Sequence, residues 1–200
     1  MNRERNGARD ATVASRRCPL WLQGVLASPI RRLVESPESL LGPYVTPGIT
    51  VLEPGCGFGF FSLPLARMVG PAGRVLCVDV ESAAVARLVR RASRAGLAGR
   101  IVAGACSATD LGVGGHAGEV DLVTILHMLH EVEDLPGFLR QVTAALRPGG
   151  RMLVLEPGGH VRPEQFAAER EACRRAGLRE LPNGPAPRGR LLALFERPVA

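Results

Sequence analysis

Val51-Leu52-Glu53-Pro54-Gly55-Cys56-Gly57-Phe58-Gly59-Phe60-Phe61 is the stretch from which the rest of the chain is read. Ile49 to Leu52 is an apolar run, the pattern of a strand buried on both faces of a sheet. It stops at the acid Glu53, and Gly55, Gly57 and Gly59 follow at alternate positions. Helical spacing then takes over in Phe61, Leu63, Leu65, Ala66, Met68 and Val69. A glycine turn between a strand and a helix lets the backbone approach a ligand closely, near the positive end of the helix. Glu53 refines this, because a carboxylate beside the loop repels a phosphate and attracts an ammonium group. The ligand expected here has a cationic head and no pyrophosphate.

A second acid extends the ligand. Val75-Leu76-Cys77-Val78-Asp79 is another apolar run ending in a carboxylate, 20 residues after Gly59. In nucleotide-binding α/β folds an acid at the tip of the second strand accepts hydrogen bonds from ribose hydroxyls. An adenosine-type ligand with a free ribose and a positive charge meets both conditions, and S-adenosylmethionine (SAM) is such a molecule. A nicotinamide dinucleotide is the competing reading. Its Gly-x-Gly-x-x-Gly fingerprint fails, because the sixth position from Gly55 is Phe60.

Composition bounds the rest. Two hundred residues with 46% hydrophobic content suit one domain with its own core. No apolar run reaches the length of a membrane span. Met1 to Arg17 is Arg-rich with no signal-peptide pattern, so a disordered tail over 1–17 and a cytoplasmic location are expected. The net charge is +6 and all basic residues are arginine, but they are scattered and aromatics make up only 4%. A nucleic-acid site would need a basic patch with stacking aromatics, so no nucleic acid and no membrane are expected as partners. Arg87, Arg90, Arg91 and Arg94 do form a stripe at helical spacing, read as a solvated face or, alternatively, as a surface for an acidic partner.

Along the chain, Ser28-Pro29 and Ser36-Pro37 each mark a helix start, the second helix carrying Leu40, Leu41, Tyr44 and Val45. Strands are expected at 49–53, 74–79, 101–105, 120–126 and 152–156. They alternate with helices at 60–70, 81–95 (Val85, Leu88 and Val89 on one face), 135–146 and 163–176. Arg147-Pro148-Gly149-Gly150 reads as a turn, and segments near 178–181 and 190–196 as a closing antiparallel pair. Strands alternating with helices give an α/β doubly wound sheet. Residues 18–47 then form an N-terminal helical segment or lid, and 48–200 the ligand-binding domain.

Several segments occurring in order make the chain resemble the class I SAM-dependent methyltransferases. These are Glu53-x-Gly55-x-Gly57-x-Gly59, Asp79 ending the second strand, Asp121-Leu122-Val123 opening the fourth, and Leu146-Arg147-Pro148-Gly149-Gly150-Arg151 before the fifth. The resemblance spans about residues 36–196. It implies a Rossmann-like seven-stranded sheet of order 3-2-1-4-5-7-6 with the last strand antiparallel. It also implies a cofactor site made of Glu53, Gly55, Cys56, Gly57, Gly59, Asp79, Val80, Ser107, Ala108 and Leu126. Glu53 would face the amino group, Asp79 the ribose, and Ser107 the adenine side. Cys18-Pro19-Leu20-Trp21 is similar to a segment in small bacterial and archaeal members of unassigned substrate.

Three of the four histidines fall at strand ends, where an open α/β sheet binds its ligand. His127 and His130 follow strand four, and His160 follows strand five. Methyl transfer from a sulfonium mainly needs alignment and exclusion of water, and a base only if the acceptor carries a proton. His127 or His130 is the expected base, with Trp21, Glu131, Glu156 and His160 shaping the acceptor pocket. The competing role for these side chains is to cap the strand ends. His-x-x-His-Glu is not a zincin motif, so no metal is expected. Cys56 and Cys77 read as packing residues, whereas Cys18 and Cys106 could approach the cleft. The expected partner is a small-molecule acceptor, on a monomer or homodimer. A SAM-binding protein without catalysis is the alternative.

Overall fold

The computed structural model describes residues 36–184 and 186–199. The segment holding Cys18, Trp21 and the first helix start at Ser28 lies outside them, as does most of the proposed lid.

The elements in chain order are α1 (Pro37–Leu41), β1 (Thr50–Pro54), α2 (Ser62–Met68), β2 (Arg74–Asp79), α3 (Ser82–Arg94), β3 (Ile101–Ala105) and β4 (Val120–Leu126). There follow α4 (Leu135–Ala145), β5 (Leu146–Pro157), α5 (Pro163–Arg175), β6 (Arg179–Leu181) and β7 (Arg190–Glu196). The seven strands are ordered β3-β2-β1-β4-β5-β7-β6. β1 to β5 pair in parallel, and β7 runs antiparallel between β5 and β6. This is the sheet that the resemblance implied.

Alternation along each strand splits the core in two. Leu52, Leu76, Val78, Val123, Ile125, Met152 and Val154 face one layer, where α4 and α5 add Phe138, Leu139, Val142, Phe166 and Cys173. Val51, Val75, Cys77, Leu122, Leu153 and Leu155 face the other, where α1 to α3 add Leu41, Leu63, Leu65, Leu88 and Ala92. Strands buried on both faces read as continuous apolar runs for this reason.

Three local expectations change. The second helix stops at Leu41, because Gly42-Pro43 cannot continue it, and Tyr44 and Val45 close a turn by donating to the Leu41 carbonyl. Arg147-Pro148-Gly149-Gly150 is not a turn outside the sheet but part of β5. A register shift opposite Val120 and Leu122 takes up the extra residues, and just past the end of β7 Gly149 N–H donates to the Arg197 carbonyl and Arg197 N–H to the Gly150 carbonyl (2.8 Å each). Val89 is not on the packed face of α3 but stands half exposed, with Ala84, Val85, Leu88 and Ala92 making that face.

The strand order reverses between β1 and β4, so their carboxyl ends flank a crevice. At the opposite edge Asp121 holds the two strands together, accepting from Thr50 N–H (2.8 Å) and Arg147 Nε (2.6 Å). Gly59, which starts the turn into α2, has φ +81°, and a Cβ there would lie 2.4 Å from Leu88 Cδ1, a fully buried side chain. Gly59→Ala is therefore expected to cost about 1–2 kcal/mol in backbone strain, with displacement of Leu88 in addition. Chemical denaturation measures it.

Candidate functional site

The turn after β1 is built from glycines at positive φ: Gly55 (69°), Gly57 (50°) and Gly59 (81°). β2 holds it down. Gly55 and Cys56 N–H donate to the Val78 carbonyl, and Gly57 N–H donates to Asp79 Oδ2 (2.8 Å). The other oxygen, Asp79 Oδ1, accepts from Glu81 N–H (2.9 Å). Asp79 thus fixes the loop in place, and an ionised carboxylate retains further lone pairs on both oxygens. From above, Arg87 lays its guanidinium 4.5 Å over the Phe58 ring and Arg91 donates to the Phe58 carbonyl. Half of the arginine stripe thus folds back on the loop, which the solvated-face reading missed.

Glu53 sits under the loop, 3% exposed. Burial pushes its carboxyl up to about 8, with the Asp79 charge adding to this and Ser62 and Cys77 opposing it. The Cys77 thiol lies 3.8 Å from Glu53 Oε2. The neighbouring thiols are also held protonated: Cys56 first by its bond with Cys77, and Cys77 by burial. Both are buried packing residues, as expected. Cys106 is half buried next to Asp79, its N–H on the Asp79 carbonyl, and burial pushes its thiol up to about 11.

Across the crevice, β4 ends at Leu126 and the chain turns at His127, which has φ +61°, an uncommon value for a residue with a side chain. The His127 ring is 6.1 Å from Phe61, on the side of α2. Met128 closes on the glycine loop, so that a Cβ on Gly55 would lie 3.3 Å from Met128 Cγ. A short 3-10 turn, Leu129–Glu131, then carries His130 to the other side. There Glu156, fully buried at the end of β5, accepts from Leu129 N–H (2.7 Å) and contacts His130 Nδ1 (2.7 Å). This contact raises the pKa of His130 above its ordinary value, against the opposing effect of burial. The His160 ring packs edge-on at 4.9 Å, and Glu131 Oε1 lies 3.9 Å from His130 Nε2.

The structure therefore brings together two groups of the expected residues. Glu53, Gly55, Cys56, Gly57, Gly59, Asp79 and Leu126 surround the ends of β1, β2 and β4, and His130, Glu131, Glu156 and His160 form a cluster at the ends of β4 and β5. Val80, Ser107 and Ala108 are exposed on the same rim. Ser107 spends its hydroxyl on a local turn, accepting from Asp110 N–H (2.9 Å). One residue escaped sequence reasoning. Glu169 lies on the buried stripe Phe166-Glu169-Cys173 of α5, at 5% exposure. An acid at a core position of the helical repeat was the available signal. Among the described residues no group of side chains is arranged to hold a metal ion, and no helix is long and apolar enough to cross a membrane.

Comparison with known proteins agrees with this geometry. Residues 51–150 match the family described as the methyltransferase domain. Among curated relatives, the ubiquinone/menaquinone biosynthesis C-methyltransferase UbiE of Cellvibrio japonicus is 35% identical over 116 residues, covering 56% of this chain and 44% of that protein. The ubiquinone biosynthesis O-methyltransferase of Methylocella silvestris is 31% identical, covering 58% and 43%. The chain thus spans less than half the length of these relatives. A SAM-dependent methyltransferase from Aquifex aeolicus superposes with a TM-score of 0.80 over 90% of this chain and 100% of that one, at 20% identity, a likeness of fold.

The residues present fit SAM, the cofactor this family and fold imply. The loop glycines take positive φ, a conformation that presents backbone to a ligand, and Glu53 would offer a buried carboxyl to an ammonium group. Glu53 is protonated below about 8, and an α-ammonium loses its proton near the same pH. The bound pair keeps one proton where the free pair holds two at pH 6.5. SAM affinity is therefore expected to rise by up to about tenfold per pH unit toward pH 8 and to fall above it. Calorimetry at pH 6.5 in buffers of different ionisation heat should show about one proton released, and Glu53→Gln should abolish the release. A binding heat independent of buffer would remove Glu53 from this role.

Proposed function

The chain belongs to the methyltransferase-domain family, and we propose that it transfers a methyl group from SAM to a small-molecule acceptor that loses a proton in the reaction, with His130 as the base. SAM, when bound, supplies a sulfonium methyl group open to in-line attack. Glu53, the Gly55–Gly59 backbone and Asp79 would hold it, with Leu126, Val80, Ser107 and Ala108 along the rim. Met128, which lies against Gly55, would help to exclude water from the reacting centre.

The observation that carries the proposal is the 2.7 Å contact between His130 Nδ1 and the buried Glu156. A carboxylate on Nδ1 selects the tautomer with the proton there and leaves the Nε2 lone pair to receive the acceptor's proton. The imidazolium that forms is then stabilised by Glu156. His160 and Glu131 flank the ring and give the acceptor polar walls. His127 lies on the α2 side, and orienting the acceptor is the role we assign it. The scattered arginines support a small acceptor over a nucleic acid. The corresponding reading is a cytoplasmic monomer or homodimer, which fractionation and sedimentation would check.

Methyl-labelled SAM offered with a panel of metabolites tests the proposal. His130→Ala is expected to lower kcat by roughly 10²–10⁴ with SAM affinity retained. Unchanged turnover in both His130→Ala and His127→Ala would end the base assignment. Glu156 raises the His130 pKa, so the neutral base is lost as pH falls through a value above 6.5. Glu156→Gln is expected to move that acid limb of kcat to lower pH, which a pH–rate profile reads directly.

A further inference from the structure

Glu169 has no part in the chemistry above, yet it occupies an unusual place. α5 buries Phe166, Glu169 and Cys173 on one stripe. The apolar members of that stripe pack in the layer lined by Met152 and Val154, and Glu156 is the next residue of β5 on the same face. The α5 stripe and the β5 face therefore set two carboxyl groups in one layer, with His130 beside them. Glu156 is satisfied by Leu129 N–H and His130 Nδ1. Neither buried oxygen of Glu169 makes a hydrogen bond of good geometry, and Gln165, one turn back on α5, is the one side chain that offers it a weak one. A buried carboxylate so poorly partnered is disfavoured against the neutral acid.

We propose that Glu169 is a positioning residue of the acceptor site, held behind the Glu156–His130 pair as a neutral acid so that Glu156 is the one buried carboxylate His130 answers to. The inference rests on the reading of His130 as the base. A second ionised carboxylate behind the ring would favour the imidazolium further, and an imidazolium cannot take the acceptor's proton. A neutral Glu169 leaves the base available. The proton sits where burial puts it first and the Glu156 charge second, both raising Glu169 to about 7, with His130 and Gln165 opposing. The groups facing His130 from the surrounding elements are Glu156 on β5, Glu131 on the turn after β4, His160 after β5, and Glu169 on α5. As pH rises through 7, Glu169 ionises and raises His130 in turn. The two groups therefore titrate together, and the His130 transition is broadened.

NMR of the full chain carrying labelled histidine tests this without any acceptor, the His130 signal being assigned by its loss in His130→Gln. In wild type the His130 ring is expected to titrate over a broader range than a single group. In Glu169→Gln, close in shape and never charged, it is expected to titrate as one group, lower by roughly half a unit to one unit. Glu169→Leu removes the acid and completes the apolar stripe. It is expected to move His130 in the same direction while raising Tm. A carboxyl raised on folding destabilises as pH climbs from its unfolded value to its folded one, so the Tm gain should widen between pH 5 and pH 7. An unchanged His130 titration in both variants would overturn the proposal and make Glu169 a packing residue. A moved titration with unaltered methyl transfer in His130→Ala would instead remove the base assignment and leave the coupling standing.

Discussion

A carboxyl group at the end of a buried parallel strand must be hydrogen-bonded, paired or protonated, and this chain meets that constraint at three of the strands that border the site, β1, β2 and β5. Asp79 is satisfied by two backbone N–H groups, one from the glycine loop and one from the start of α3. Glu156 is satisfied by the Leu129 N–H and an imidazole. Glu53 has only the Ser62 hydroxyl and a weak thiol contact to set against its burial and is held near 8. Three solutions to one desolvation problem give three chemical characters: a structural clamp, a partner for an imidazole, and a buried acid that keeps its proton up to about pH 8.

The clamp sets the geometry of the rest. Asp79 joins the loop after β1 to the end of β2, and Met128 from the end of β4 fills the space above Gly55. The three loops that border the crevice are therefore one packed unit. Phe58, on the outer side of that loop, is pinned by Arg87 and Arg91 from α3. The loop backbone is thus held by the protein's own contacts, which limits the ordering cost of binding.

How much of this was legible in sequence follows from what each signal depends on. The strand runs, the Gly55–Gly59 turn and the acids Glu53 and Asp79 are local patterns with periods of one or two residues, and they lie where the pattern puts them. The order of the sheet followed from the resemblance, since spacing alone does not specify which strands pair. Features that depend on a distant neighbour were not legible. Gly149 reads as a turn glycine until Arg197, just past β7, is there to accept its N–H. Arg87 and Arg91 read as a solvated stripe until Phe58 lies beneath them. Glu169 reads as one more charged helix residue until the α5 stripe is set against the β5 face that carries Glu156.

The two histidines of His127-Met128-Leu129-His130 show how a short spacing is divided between roles. Neighbours three apart would share a face on a helix. Here the left-handed backbone at His127 and the 3-10 turn that follows part them. One ring is left near Phe61 on the loop side, and the other is delivered to Glu156. A residue with a side chain at φ +61° costs stability unless the surroundings require it. The requirement is visible: His127 N–H donates to the Leu155 carbonyl (2.7 Å), the residue before Glu156. The same turn that strains His127 is the one that seats Leu129 and His130 on Glu156. The strain at one histidine and the Glu156 contact of the other are therefore a single feature of the β4–β5 rim, and the position of His130 depends on both.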